Sequence, residues 1–236
     1  MPERGETADL PWGLVDMPWE QSQVSGMWNP ISQGHLGIVG GPRTGRTTWV
    51  RTILGQMAIG SRAWGVYCFD YPGGLASLDE AIPCGARVTG GETLRGSRVI
   101  KQLESMLVGR QTLLASCGAT TLAEWESRSR NQLPLVLWII EGWSQFVEEY
   151  SSYDRGAVYA AALRVIREGA SLGIVVIVTG DRSLLSGTIA GLLTSTWSLR
   201  LSDPMDLLMT GLTRTKCQHE CHPVGPYRFL LVRLLK

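Results

Sequence analysis

The chain has 236 residues, 44% of them hydrophobic and 18% charged, and a formal net charge of +1. That composition excludes a disordered chain and suits one sizeable α/β core. Near-neutrality excludes the broad basic footprint of a protein that grips many phosphates, so no nucleic-acid partner is expected.

In chain order, residues 1–33 are rich in Pro, Trp and polar side chains. They read as an irregular arm packed on the domain, with one short strand near "WGLVD". Residues 34–236 read as a single domain. "GHLGIVG" (34–40) is a buried strand. The segment 45–60 has apolar residues at Val50, Ile53, Leu54 and Met57, which is helical spacing. "AWGVYCFDY" (63–71) is a second strand, and "LASLDEAI" (75–82) a short helix. Residues 92–117 carry a long helical pattern. The segment 120–130 is a helix with Thr121 and Glu124 at capping-box spacing. "LPLVLWIIE" (133–141) is the most apolar run and predicts a central parallel strand. A helix over 153–173 ends at a glycine. Strands follow at 174–182, 196–203 and 226–235. The alternation predicts an α/β, doubly wound, mainly parallel sheet flanked by helices.

Five cysteines without regular spacing argue against a disulfide framework and fit a reducing compartment. The N-terminus has no apolar signal segment, and no apolar run approaches the ~20 residues of a membrane span. A soluble cytoplasmic domain is the expectation.

The chemistry concentrates in "GGPRTGRTT" (40–48), between a predicted strand and a predicted helix. Gly40, Gly45 and Thr47 match the phosphate-binding pattern G-x-x-x-x-G-K-[ST]. In such a loop (here Gly40, Gly41, Pro42, Arg43, Thr44, Gly45, Arg46, Thr47 and Thr48) backbone N–H groups converge on phosphate, and the hydroxyl at Thr47 holds Mg²⁺. Arg46 replaces the lysine. Only three of the 22 Lys+Arg residues are lysine, so general drift toward arginine accounts for the letter without accounting for its effect. A partner acid should end a second apolar strand. "LVLWIIEGW" offers Glu141, followed by Gly142, unless Glu141 is only a charged strand end facing solvent.

The segments "WGLVDMPWEQSQ", "GHLGIVGGPRTGRTT", "VYCFDYPGGLASL", "LWIIEGWSQF", "SLGIVVIVTGDR" and "LRLSDPMD" together resemble the ATPase modules of EccC, the FtsK/SpoIIIE-type motor of type VII (ESX) secretion. The "YCFDYPGG" and "EGW" segments are most similar to the second of its three tandem modules. The resemblance implies a RecA-like P-loop fold. It also implies ATP and Mg²⁺ as ligands, sister modules and secreted proteins as partners, and membrane association only through the rest of the full-length protein. It assigns the phosphate loop to residues 40–48, the metal-coordinating acid to Glu141, a γ-phosphate sensor to Thr179, and a nucleotide-site strand end to Asp70.

Two departures fall where that family's chemistry sits. A guanidinium is a wide planar fork, not the compact charge of lysine. Losing transition-state electrostatics at such a position costs about 3–4 kcal/mol, or roughly 10²–10³ in rate. Gly142 supplies no catalytic carboxylate. The expectation is a degenerate module with weak or absent ATP binding and negligible hydrolysis, serving in export as a structural, regulatory or substrate-docking unit. The alternatives are an active FtsK-like motor, moving protein or DNA, and a ligand-free interaction domain.

"KCQHECHP" (216–223) holds zinc-ligand residue types, but Cys217, His219, Cys221 and His222 are spaced too tightly, and no zinc is expected. Trp12, Trp19 and Trp28 lie in the arm, either half-buried on the domain or at an interface. Arg182, Arg200 and Arg214 are surface arginines or trans-acting contacts to a neighbour's nucleotide.

Overall fold

The computed structural model describes residues 8–17, 20–76, 84–201, 203, 206, 209 and 232–234. The segment expected as an irregular arm forms a two-stranded antiparallel hairpin, β1 (Leu10–Met17) and β2 (Ser22–Trp28), followed by the one-turn helix α1 (Pro30–Gln33). A register shift between Pro11 and Gly13 breaks its alternation. Trp28 is fully buried, and the Trp12 ring lies 4.8 Å from that of Trp197. The hairpin is therefore docked through its indoles. Trp19 lies outside the described residues.

Strands and helices then alternate: β3 (Leu36–Val39), α2 (Arg46–Ile59), β4 (Trp64–Asp70), β5 (Cys84–Val88), α3 (Thr93–Ser116), α4 (Leu122–Ser129), β6 (Leu135–Glu141), α5 (Trp143–Tyr150), α6 (Ala157–Glu168), β7 (Ile174–Gly180), α7 (Gly187–Leu192), β8 (Ser195–Ser198) and β9 (Val232–Leu234). The sheet order is β5-β4-β6-β7-β3-β8-β9, parallel except for β9. β6 and β7 are buried at every position, as strands covered on both faces must be. Ile38, Leu137, Ile139 and Ile177 pack toward α2, whereas Trp138, Ile140, Val176 and Val178 pack into the opposite core with α3 and α6.

Several elements depart from the sequence reading. The helix expected over 153–173 begins only at Ala157, because Asp154 and Arg155 adopt positive φ. The strand expected over 196–203 stops at Ser198. β5, α5 and α7 were not anticipated. The helix expected over 75–82 falls largely outside the described residues, as does most of 226–235.

His35 pins the two layers. Its Nδ1 accepts the Val176 N–H at 3.0 Å and its Nε2 donates to the Ile166 carbonyl, which fixes the neutral tautomer. Burial lowers its pKa to about 4, against the raising effect of the Ile166 bond.

Candidate functional site

The connections from two neighbouring strands leave in opposite directions: α2 carries the chain from β3 past β7 and β6 to β4, whereas the chain leaving β7 passes β3 to reach β8, a reversal between β3 and β7. The crevice at the C-terminal strand ends beside such a reversal is where ligands bind in open α/β sheets. Every residue singled out from the sequence at 40–48, 70, 141 and 179 lies along this edge.

The loop between β3 and α2 begins as an extension of the sheet. The Gly40 N–H donates to the Gly180 carbonyl at 3.1 Å and the Gly41 N–H to the Arg200 carbonyl at 3.2 Å. Pro42 and Arg43 form the exposed apex, with Arg43 at φ +59°. Thr44 Oγ1 donates back to the Gly41 carbonyl at 2.8 Å and closes the turn. A side-chain carbon at position 40 would lie 2.6 Å from that hydroxyl oxygen, which explains the glycine. Gly45 starts α2 at φ +104°, a conformation that favours glycine, without a side-chain cap. The first-turn N–H groups of α2 thus face the loop mouth, the arrangement that receives anions. Thr48 is exposed, and its carbonyl accepts the Thr52 hydroxyl.

Beneath the loop, Asp70, Glu141 and Thr179 stand in register on β4, β6 and β7. All three are buried and share the α2 side of the sheet. The Thr47 hydroxyl donates to Glu141 Oε1. Glu141 Oε2 and Thr179 Oγ1 are buried without a hydrogen-bond partner among the described residues. Burial raises the Glu141 pKa and the nearby Asp70 charge adds to the rise, against the Thr47 bond and the charges of Arg46 and Arg51. Glu141 is thus no solvent-facing strand end.

Asp70 differs. Its Oδ1 accepts the Gly74 N–H at 3.0 Å and its Oδ2 the Leu75 N–H at 2.8 Å, with Arg87 at 3.9 Å. Both oxygens bind the chain's own backbone.

The stem of Arg46 passes over Gly40. Its charge bears on Glu141 and on Asp181, just beyond β7. Burial raises the Asp181 pKa, but the Ser183 N–H and hydroxyl and the Arg46 charge outweigh it and hold the carboxyl below its usual range. A cavity of about 380 Å³ opens here, lined by Ser144, Asp181, Arg182, Ser183, Ser186 and Met209. Arg182 lies 3.7 Å from Asp206, and Arg200 is exposed. Arg214 and the "KCQHECHP" segment lie outside the described residues.

The sequence reading missed Gly74 and Arg51, which close the Thr47 side of the loop. Arg51 Nε donates to the Gly74 carbonyl at 3.0 Å. The doubled glycine after β4 was the available signal.

The residues fit a magnesium nucleotide: loop N–H groups at a helix start, a hydroxyl against a buried carboxylate, and two unpartnered buried polar atoms on the same face. Fold and site define a domain with the RecA-like P-loop NTPase fold. No protein-family model matches the chain. It is 29% identical over 219 residues to the ESX-4 secretion system protein EccC4 of Mycobacterium tuberculosis, covering 87% of this chain and 17% of that protein. Solved structures agree in fold. EssC (ATPases 2 and 3) from Geobacillus thermodenitrificans superposes at TM-score 0.76 and 20% identity, over 97% of this chain and 43% of that one. Thermomonospora curvata EccC (ATPases 2 and 3), in complex with a signal sequence peptide, gives 0.75 and 23%, over 90% and 40%. The chain is a relative of the EccC and EssC secretion ATPases, and it spans about a sixth of the length of EccC4. No helix among the described residues is long and apolar enough to cross a membrane.

Proposed function

We propose that this chain is a degenerate P-loop module of a type VII secretion motor, acting in protein export on the cytoplasmic side as a structural or regulatory unit. Its partners are sister modules of the same motor and secreted proteins. It takes ATP·Mg²⁺ weakly and hydrolyses it negligibly. Thr47 and Glu141 would hold the metal, which supplies charge neutralisation at the phosphates when bound.

The observation that carries this reading is Gly142. It stands where motors of this type place a catalytic carboxylate, and it begins α5 at φ +101°. A side-chain carbon there would lie 2.9 Å from Gln145 Oε1 and 3.2 Å from Tyr71 Cβ. The loss of the acid is therefore built into the backbone at this corner, and no side chain at 142 polarises an attacking water. Arg46, in place of the lysine and with its charge acting on Asp181 and Glu141, adds to the loss. The signal peptide bound to the Thermomonospora curvata relative supports a substrate-docking role.

The second reading is an active motor, and Glu141 Oε2 with Thr179 Oγ1 favours it, because the polar floor of the site is kept. Titration of the chain with ATP·Mg²⁺, read by thermal shift and phosphate release, separates the two. Weak binding that tightens in Arg46→Lys, without turnover in either protein, is the expected result. Multiple turnovers by the unmodified chain would sink the degenerate reading.

A further inference from the structure

Thr47 is a helical threonine, and helical threonines divide between two χ1 wells. In one, the hydroxyl reaches out to Glu141. In the other, it turns away from Glu141 toward the loop that leads into the helix. The structure has the first. Gly74 packs against this side chain. Its backbone lies against the Thr47 γ-methyl so closely that a side-chain carbon at 74 would come within 2.6 Å of that methyl and 3.4 Å of the hydroxyl oxygen.

Gly74 is held there from three directions. Asp70 takes its N–H and that of Leu75, Arg51 takes its carbonyl, and Leu75 is buried under the loop. The segment's first residue is tied to the acid strand, because the Tyr71 N–H donates to the Glu141 carbonyl at 3.2 Å. A continuous set of contacts runs Asp70–Gly74–Thr47–Glu141.

We propose that Asp70 is a positioning residue for the Thr47 hydroxyl, acting through Gly74, and not a ligand of the nucleotide or metal. Its own oxygens are engaged by backbone N–H groups, so it reaches the site only through the loop it folds. Gly74 is the contact element, and any side chain there re-aims Thr47. The proposal rests on the nucleotide-site reading only for the second of two measurements.

The first measurement needs no ligand. With ¹³C-methyl threonine labelling, Thr47 should show one χ1 state in the unmodified chain and a second state in Gly74→Ala and Asp70→Asn. A Thr47 methyl unchanged in both variants would overturn the proposal. Gly74→Ala keeps the test open if Asp70→Asn does not fold, since position 74 has an ordinary φ. The second measurement is ADP affinity with Mg²⁺ against ADP affinity in EDTA. Gly74→Ala should reduce the magnesium-dependent gain by about tenfold or more, the usual effect of disturbing a residue that orients a metal ligand. Affinity in EDTA should be unchanged. Thr47→Ser removes the methyl that Gly74 touches, so Thr47→Ser/Gly74→Ala should regain what Gly74→Ala alone loses. Equal loss with and without Mg²⁺, or no rescue by serine, contradicts the positioning role. If the unmodified chain binds ADP equally well with and without Mg²⁺, the metal-holding role of Thr47 and Glu141 fails, and the Thr47 methyl alone decides the proposal; if it binds no ADP at all, the nucleotide-site reading fails and the methyl again decides.

Discussion

Asp70 and Glu141 sit side by side on β4 and β6, paired in register, facing the same helix and both at 2% exposure or less. By sequence they are equivalent: an acid closing an apolar strand. In the folded chain they are opposites. Asp70 directs both oxygens to N–H groups of its own loop. Glu141 directs one oxygen to a hydroxyl and leaves the other without a partner among the described residues. A buried carboxylate with each oxygen engaged by a backbone N–H serves as scaffold. One with an open position in a crevice is available to a ligand.

The sharpest way to break that comparison is to delete the scaffold acid. Asp70→Ala leaves the buried Leu75 N–H and the half-buried Gly74 N–H without their acceptors, and an N–H left unsatisfied in a buried position costs about 1–3 kcal/mol. A loss of about 3 kcal/mol or more in urea unfolding is expected, a large share of a domain's total stability. A loss below about 1 kcal/mol would show that the loop does not depend on Asp70.

Acid titration comes next, because it acts oppositely on two buried groups. The His35 pKa falls from 6.5 to about 4 on folding. The stability this neutral ring contributes is complete above pH 6.5 and is lost as pH falls toward 4, up to about 3 kcal/mol. Glu141 is raised, so the folded state takes up its proton more readily, and its effect on stability runs the other way below its folded pKa. The unmodified chain should lose stability between pH 6.5 and 4. His35→Gln should flatten that slope in chemical unfolding curves. An unchanged slope would mean that His35 is not the group responsible.

Much of this was legible in the sequence. β6 and β7 are continuous apolar runs, and the phosphate loop is local, written in nine consecutive residues. β5 was not legible, because in "CGARV" only Val88 is buried. The hairpin was hidden by the irregularity at Pro11–Gly13 and by strands whose main anchors are Leu10, Trp12 and Trp28. α5 carries Trp143, Phe146 and Tyr150 at helical spacing, yet it was read only as part of a motif. The role of Asp70 was out of reach for a physical reason. Its position at a strand end was visible, but which N–H groups return to it depends on how the Pro72–Gly73–Gly74 turn folds back. Thr179 was named only through family resemblance, since one hydroxyl at a strand end carries no local signal.

The smallest expected effect is the most discriminating. Glu141→Gln keeps an oxygen to accept from Thr47 and removes a charge that burial disfavours. Its effect on stability should stay within about 1 kcal/mol and lean toward stabilisation. The same carboxylate-to-amide change at Asp70 must turn an NH₂ group toward the Gly74 or the Leu75 N–H, donor against donor, and should destabilise. Chemically identical substitutions one strand apart are thus expected to shift Tm in opposite directions. Two shifts of the same sign and size would mean that the two acids do the same job, and that the division between scaffold and site drawn from their hydrogen bonds is wrong.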